Sequence, residues 1–191
     1  MLAAKSEISR NRIHPHKFAL FVAIASIVMM FGAFTSAYIV RRSAGNWLEF
    51  RLPGIFFFNT AVIILSSLTL QLSFNAFKKG LERRYKFFLI ATFLLGLTFV
   101  ALQYHGWQSL NEIGATFTAN PSSSFIWVIS GLHAAHVLGG IAALTVALTH
   151  AYALPFKPIF KRRLRFELIV TYWHFVGILW LYLVLFFVLQ S

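Results

Sequence analysis

The chain has 191 residues, of which 59% are hydrophobic, 17% aromatic and 12% charged, and its mean hydropathy of +0.73 excludes an ordinary water-soluble domain and marks an integral membrane protein. The net charge of +12 is divided among short stretches beside apolar runs, which fits a topology signal and attraction to anionic lipid head groups and not a nucleic-acid surface. Cysteine is absent, so c-type haem attachment, iron-sulfur clusters, thiolate-bound copper and disulfides are excluded from this chain.

Runs free of Asp, Glu, Lys and Arg cover Phe18 to Val40, Leu52 to Phe77, Phe87 to Asn111, Ile113 to Phe156 and Leu168 to Ser191. Crossing a hydrocarbon layer about 30 Å thick takes roughly 20 residues, and each run is long enough. The pattern predicts an all-α bundle of five transmembrane helices over about 17–40, 54–76, 85–106, 124–150 and 166–189. Residues 1–16 form a cytoplasmic N-terminal segment and 17–191 the membrane domain. All prolines, at 15, 53, 121, 155 and 158, fall outside these spans, which predicts unkinked helices and argues against a secondary transporter built on interrupted ones. The first run is followed by Arg41 and Arg42 instead of a small-residue cleavage site, so it reads as a retained span and not a secretory signal. Basic residues precede the first helix and fill the segments after the second and fourth, while the other side has only Arg41, Arg42 and Arg51. The positive-inside rule therefore places the N-terminus in the cytoplasm and the C-terminus outside. Arg41, Arg42, Arg83, Arg84, Arg162 and Arg163 are candidates for lipid head-group contacts.

Along the first helix, small residues from Ala19 to Ala37 suit close helix packing, and Trp47 beyond it suits an interface belt. The second helix carries Asn59, Thr60, Ser66, Ser67, Gln71 and Ser73, whose use is read as hydrogen bonding to neighbouring helices. The third ends in Tyr104-His105-Gly106-Trp107, where His105 is an interfacial, solvated residue. The fourth presents Gly131, Ala135, Gly139, Ala143 and Ala147 at every fourth position, a stripe that predicts one intimate helix contact. Beside it lie His133 and His136, two polar side chains deep in an uncharged run and so candidates for function. The fifth holds Tyr172-Trp173-His174-Phe175, with His174 at a depth similar to that of His136, and Glu167 in its first turn, where a carboxylate suits the helix dipole.

His133 or His136 with His174 has the outline of an axial haem pair, as in a small membrane cytochrome b-like protein. A copper or zinc site wants a third ligand at that depth, and none is apparent. The competing reading makes all three histidines structural. The five acidic residues are glutamates placed away from mid-membrane, unlike those of a pump or ion-coupled transporter, which favours a supporting subunit over an independent machine.

Gly131-Leu132-His133-Ala134-Ala135-His136-Val137-Leu138-Gly139-Gly140 resembles the Gly-x-His-x-x-His-Val-x-x-Gly signature of subunit III of the haem-copper cytochrome oxidases, and Tyr172-Trp173-His174-Phe175-Val176 resembles a second signature of that family. Ala37 to Arg41, Asn59-Thr60 and Leu65 to Ser67 add to the likeness, which runs from about His16 to the C-terminus in the family's shorter five-helix form. The resemblance implies a subunit with no catalytic centre and no cofactor of its own. Haem and copper would lie in partner subunits, and this chain would stabilise subunit I and hold phospholipids in a bacterial inner membrane, possibilities that extend to a respiratory supercomplex. It also implies packing roles for Gly131, His133, His136, Gly139, Tyr172, Trp173 and His174, and substitution of His133 or His136 by alanine is expected to weaken association or lipid retention without altering the oxidase spectrum. Longer members of the family carry two further N-terminal helices that wall a lipid-filled cleft. Where the family often has acids, this chain has Ile27, Gly106 and Gly177, which predicts that it delivers no protons through membrane carboxylates of its own.

Overall fold

The computed structural model describes residues 14–45, 47–48, 52–156 and 159–190. The expected N-terminal segment 1–16 falls almost wholly outside them, as do Arg51 and Lys157. The described residues form five helices: α1 (Pro15–Ser43), α2 (Ile55–Lys78), α3 (Glu82–Glu112), α4 (Pro121–Ala153) and α5 (Phe160–Gln190). All five are long and apolar enough to cross a membrane, and the described residues contain no strand.

The helices start and stop where local chemistry allows, and most run past the limits set by charge alone. Asn120 caps α4 by accepting the Ser122 N–H at 3.0 Å, and Pro121 occupies its first turn, so the helix starts before the expected position 124. Helix α5 begins six residues before the expected position because Lys161, Arg162, Arg163 and Arg165 are good helix formers whose charge hides the helix from a hydropathy reading. Glu167 consequently lies beyond the first turn, and its role is different: it pairs with Lys17 of α1 at 2.6 Å. Helix α3 continues through Gly106 to Glu112, and there the missing side chain makes room for Phe56, whose ring would stand 3.3 Å from a Cβ. Gly80 (φ +74°) turns α2 back into α3, with the Leu81 N–H closing on Ala76 O at 3.0 Å.

Helices α2, α3, α4 and α5 form a ring in which each packs on the next and α5 returns to α2. Helix α1 stands outside this ring against α4 and α5 and is the least buried of the five. Side-chain ties hold it along its length, among them Lys17 Nζ to Glu167 Oε1 at 2.6 Å, Thr35 Oγ1 to Tyr182 Oη at 2.9 Å and Arg42 Nη1 to Gln190 Oε1 at 2.8 Å. Near the last of these, Tyr38 packs edge-on against Trp47, Phe125 and Phe186, so Trp47 closes the bundle end and is half-buried.

The largest side chains in the interior of the ring come from α5. Phe166, Trp173, Trp180 and Phe187 recur every seventh position of α5 and are exposed by only 5, 1, 0 and 1%, so one aromatic side chain enters each successive layer of the core.

Candidate functional site

Trp173 is the side chain on which the other three ring helices converge. Its indole Nε1 donates to Ser66 Oγ of α2 at 3.1 Å, and Ser66 in turn donates to the Thr92 carbonyl of α3 at 3.3 Å. A Cβ added to Gly96 of α3 would lie 2.9 Å from the indole, and one added to Gly140 of α4 would lie 2.8 Å from it. Two glycines therefore create the slot, and no larger residue fits without displacing the ring. Gly140 stands within the α4 signature; Gly96 is an isolated glycine in an apolar helix, a position that announces close packing only once its neighbour is known.

Two turns along α5, Trp180 repeats the arrangement. Its Nε1 donates to Thr60 Oγ1 of α2 at 3.1 Å, Phe56 stacks on it at 6.0 Å, and Phe99 of α3 meets it edge-on at 5.2 Å. The α4 member of this layer is His133, whose ring lies 4.9 Å from the indole, with Phe99 at 6.0 Å and Phe31 of α1 at 6.4 Å. His133 has no exposed surface, and neither of its ring nitrogens has a hydrogen-bond partner. It serves as an aromatic plate in the layer and makes no hydrogen bond of its own. Asn59 of α2 and Gln103 of α3 bond across the ring at 3.0 Å and leave Asn59 Oδ1 and Gln103 Nε2 unpartnered.

The neighbours of Trp173 diverge because successive helical residues are about 100° apart. Tyr172 turns toward α4 and donates from Oη to the His136 carbonyl at 3.0 Å. His174 turns the other way, toward α2, and pairs through Nε2 with Gln71 Oε1 at 3.1 Å. His136 bonds through Nδ1 to its own helix, at Leu132 O, at 2.7 Å and lies edge-on to Phe31 of α1 at 5.7 Å. His136 and His174, read from the sequence as lying at similar depth, do not meet: the α4 histidines face α1 and the core, and His174 faces α2. The helix 2 hydroxyls and amides do bond to neighbouring helices, with Ser73 donating to Tyr85 O at 3.0 Å in addition to the contacts above. His105 is exposed and pairs with Gln108 at 3.0 Å.

The small-residue stripe of α4 also needs correction. A Cβ on Gly131 would meet nothing within 4 Å, one on Gly139 would meet only Tyr172 Oη at 3.7 Å, and Ala135 is exposed; only Ala147, at the far end, is buried. The intimate contact inside the chain belongs to Gly140, one position round from the stripe. The stripe itself turns outward with Leu138, which is 51% exposed.

Among the candidate lipid arginines, Arg41 donates to Gly45 O at 3.1 Å and lines an open cleft between α1 and the start of α4, whereas Arg42 is engaged by Gln190. Arg83 and Arg84 flank a shallow apolar recess with Phe87 and Phe88. Arg162 donates to Pro155 O at 2.6 Å and borders a deeper cavity, while Arg163 is exposed on another side of the helix; the cavity's second arginine is Arg165.

The family model described as "Cytochrome c oxidase subunit III" matches residues 47–191, all of the ring helices included. The chain belongs to the cytochrome c oxidase subunit III family. Subunit III is the non-catalytic subunit of the haem-copper oxidases. A "Probable cytochrome c oxidase subunit 3" of Nocardia farcinica is 28% identical over 183 residues, which cover 91% of this chain and 87% of the relative. A protein of the same description from Mycobacterium tuberculosis is 29% identical over 193 residues, covering 94% and 91%. The "Cytochrome c oxidase subunit 3" of Marchantia polymorpha is 33% identical over 132 residues, covering 68% of this chain and 47% of that one. In this subunit III fold the two signatures are two sides of one joint: Gly140 makes the slot, Trp173 fills it, and His133 and Trp180 repeat the contact in the next layer. The cytochrome b-like alternative gains no support, because its three histidines occupy separate surroundings.

Proposed function

We propose that this subunit III is a membrane scaffold that packs on subunit I through the outward face of α4 and carries no proton path of its own. The observation behind the reading is that Ala135 and Gly139 are exposed while every ring helix already has its partners, which leaves a smooth face of small residues open to another helix. Without a hydrophobic driving force between helices in lipid, close backbone approach is what such a face offers. The three signature histidines support a structural role, since each is committed to packing or to a hydrogen bond inside the chain. Haem and copper belong to partner subunits in this reading, with other oxidase subunits, phospholipids and a respiratory supercomplex as further contacts.

The basic ends of α2, α3 and α5 lie at one end of the bundle, which by the positive-inside rule faces the cytoplasm in a bacterial inner membrane. At the positions where the family often has acids, Ile27 is packed against the core and a Cβ on Gly177 would stand 3.1 Å from Ser67 Oγ, so a side chain there makes Ser67 give way. Ile27→Glu is therefore expected to leave the proton-uptake rate of the assembled oxidase unchanged.

The scaffold reading is tested by purifying the complex in mild detergent. The wild-type chain should bring down a haem- and copper-bearing partner, and an Ala135→Leu/Gly139→Leu double variant should bring down several-fold less while keeping its own melting temperature. Undiminished association in that variant, or a haem band in the isolated chain, would overturn it.

A further inference from the structure

Helices α2 and α5 leave a recess of about 300 Å³ between them on the outer surface of the bundle. Its floor is polar: Ser67 and Gln71 of α2 face His174 and the bare backbone of Gly177 of α5. Ile64, Leu68, Ile178 and Leu181 border it and are 40 to 65% exposed, so it opens onto the helix faces that hydrocarbon covers. The helices run antiparallel, with Gln71 opposite His174, Ser67 opposite Gly177 and Thr60 opposite Trp180. The polar side chains therefore gather at the end of the recess nearer the basic end of the bundle, and its other end is apolar.

Two hydrogen-bonding capacities in this floor are unused. Gln71 Oε1 can only accept, so its 3.1 Å contact makes His174 Nε2 the donor and leaves Nδ1 an acceptor with no partner among the described residues. Ser67, whose Oγ stands 3.1 Å from the place a Cβ of Gly177 would take, likewise makes no hydrogen bond among the described residues. Counting about 1.5 Å per residue from Arg165 puts His174 roughly 14 Å inside the hydrocarbon. Polar groups at such depth normally turn toward the bundle interior, and an unused donor and acceptor on the outer face call for a ligand.

The lining selects among the ligands a membrane supplies. Among the described residues it contains no charged side chain, and phospholipid head groups stay at the leaflet surface, so an anionic head group does not match it. An acyl chain suits the aliphatic border and leaves both polar groups unsatisfied. A free donor and a free acceptor one helical turn apart match a hydroxyl group, which accepts from Ser67 and donates to His174. The volume stands at the lower end of small-molecule sites, about 300 to 1,000 Å³, and suits a single ring with an apolar tail.

We propose that this recess binds a lipid-soluble phenolic compound of the prenylated quinol class, one ring hydroxyl held between Ser67 Oγ and His174 Nδ1 and the tail lying along Ile178 and Leu181. The contact consists of hydrogen bonds and packing, with no covalent bond made or broken. A quinone carbonyl accepts from Ser67 but has nothing to donate to His174, so the reduced form binds more tightly. The site is separate from the outward face of α4 and does not depend on which partner covers that face.

The complex, purified in mild detergent and kept free of oxygen, is irradiated with a decyl-substituted benzoquinol carrying a diazirine on its tail, and labelled peptides are mapped by mass spectrometry. Label should fall within 63–71 and 174–181 and be displaced by decylbenzoquinol, but not by phosphatidylglycerol or by decylbenzene, which keeps a ring and tail without hydroxyls. Labelling should drop about two- to tenfold in Ser67→Ala, the worth of one hydrogen bond, and further in Gly177→Leu, which fills the notch. It should stay at the wild-type level in Thr98→Leu, which adds apolar bulk to an exposed position of α3. Because Ser67 bonds to nothing among the described residues, Ser67→Ala reports on the site even if Gly177→Leu shifts α2 against α5. The oxidised probe should label severalfold less. Wild-type labelling in Ser67→Ala, displacement by decylbenzene as effective as by decylbenzoquinol, or labelling of the isolated chain that disappears in the complex, which would assign the recess to a partner helix, would overturn the proposal. The haem spectrum of the co-purified partner, read on the same sample, reports the subunit assignment independently.

Discussion

His133 combines full burial with two ring nitrogens that bond to nothing, an arrangement in which the polar atoms oppose the packing they sit in. A buried polar group left unsatisfied costs about 1 to 3 kcal/mol, while the ring's contacts with Phe31, Phe99 and Trp180 are apolar in kind. His133→Leu, of similar volume, is therefore expected to keep or raise the melting temperature of the purified chain, whereas His133→Ala should lower it through the cavity it leaves. A large loss in His133→Leu would show that a nitrogen has a partner. The glycines of the same helix separate as cleanly. Gly140→Leu forces atoms into the Trp173 indole and should destabilise by about 1 to 3 kcal/mol or more, and Gly131→Leu, with nothing near its Cβ, should leave the isolated chain's thermal unfolding unchanged. This difference was not legible in the sequence. Gly131, Gly139 and Gly140 all sit in one signature, and which of them faces inward depends on the rotation of α4, which is set by indole rings supplied from another helix. Trp173 and Trp180 act on positions about 40 residues away, beyond the reach of any periodic pattern.

The elements themselves were largely readable, because hydropathy reports a span directly and all five appear. Their ends were not. The first two turns of α5 carry Lys161, Arg162, Arg163 and Arg165, which a search for uncharged residues treats as loop although the same residues favour helix. The relation of α1 to the rest was equally hidden, since its composition resembles that of the ring helices and only the contacts show it outside. One of its ties to α5 is partly exposed: the Lys17–Glu167 side chains are 35% and 39% accessible, and a pair of that kind contributes at most about 1 kcal/mol. Removing the central tie with Thr35→Val/Tyr182→Phe should raise hydrogen exchange in α1 severalfold and leave α2 to α5 at wild-type protection. Equal loosening of all five helices would mean that α1 is an integral wall of the ring. By contrast Trp180→Ala, which empties a full core layer, should cost about 3 to 5 kcal/mol and loosen every ring helix together.

At the scale of the whole molecule, the family came through two short signatures, and the reason they were legible is now physical: they mark the two halves of one tightly packed joint. The direction in which the molecule meets its partner was not legible, because a stripe of small residues reads the same toward a helix of its own chain or one of another. Here it turns away from the ring, and the packing of a second protein is the use that remains for it in the scaffold reading. Charge was legible as sidedness, but not as the pairing of Arg162 with Arg165 across one cavity in place of Arg162 with Arg163, since that depends on where α5 begins.

Four aromatic side chains of α5 fill the interior that α2, α3 and α4 surround, and α5 is the last of the five helices to leave the ribosome. Without α5, Ser66, Thr60, Gly96 and Gly140 lack the indole rings they meet in the folded chain. Completion of the core is therefore expected to wait on α5. A chain stopped after Ala153 should integrate its first four helices yet remain sensitive to membrane proteases, and α5 supplied as a separate polypeptide should restore resistance, whereas the same helix carrying Trp173→Ala and Trp180→Ala should not.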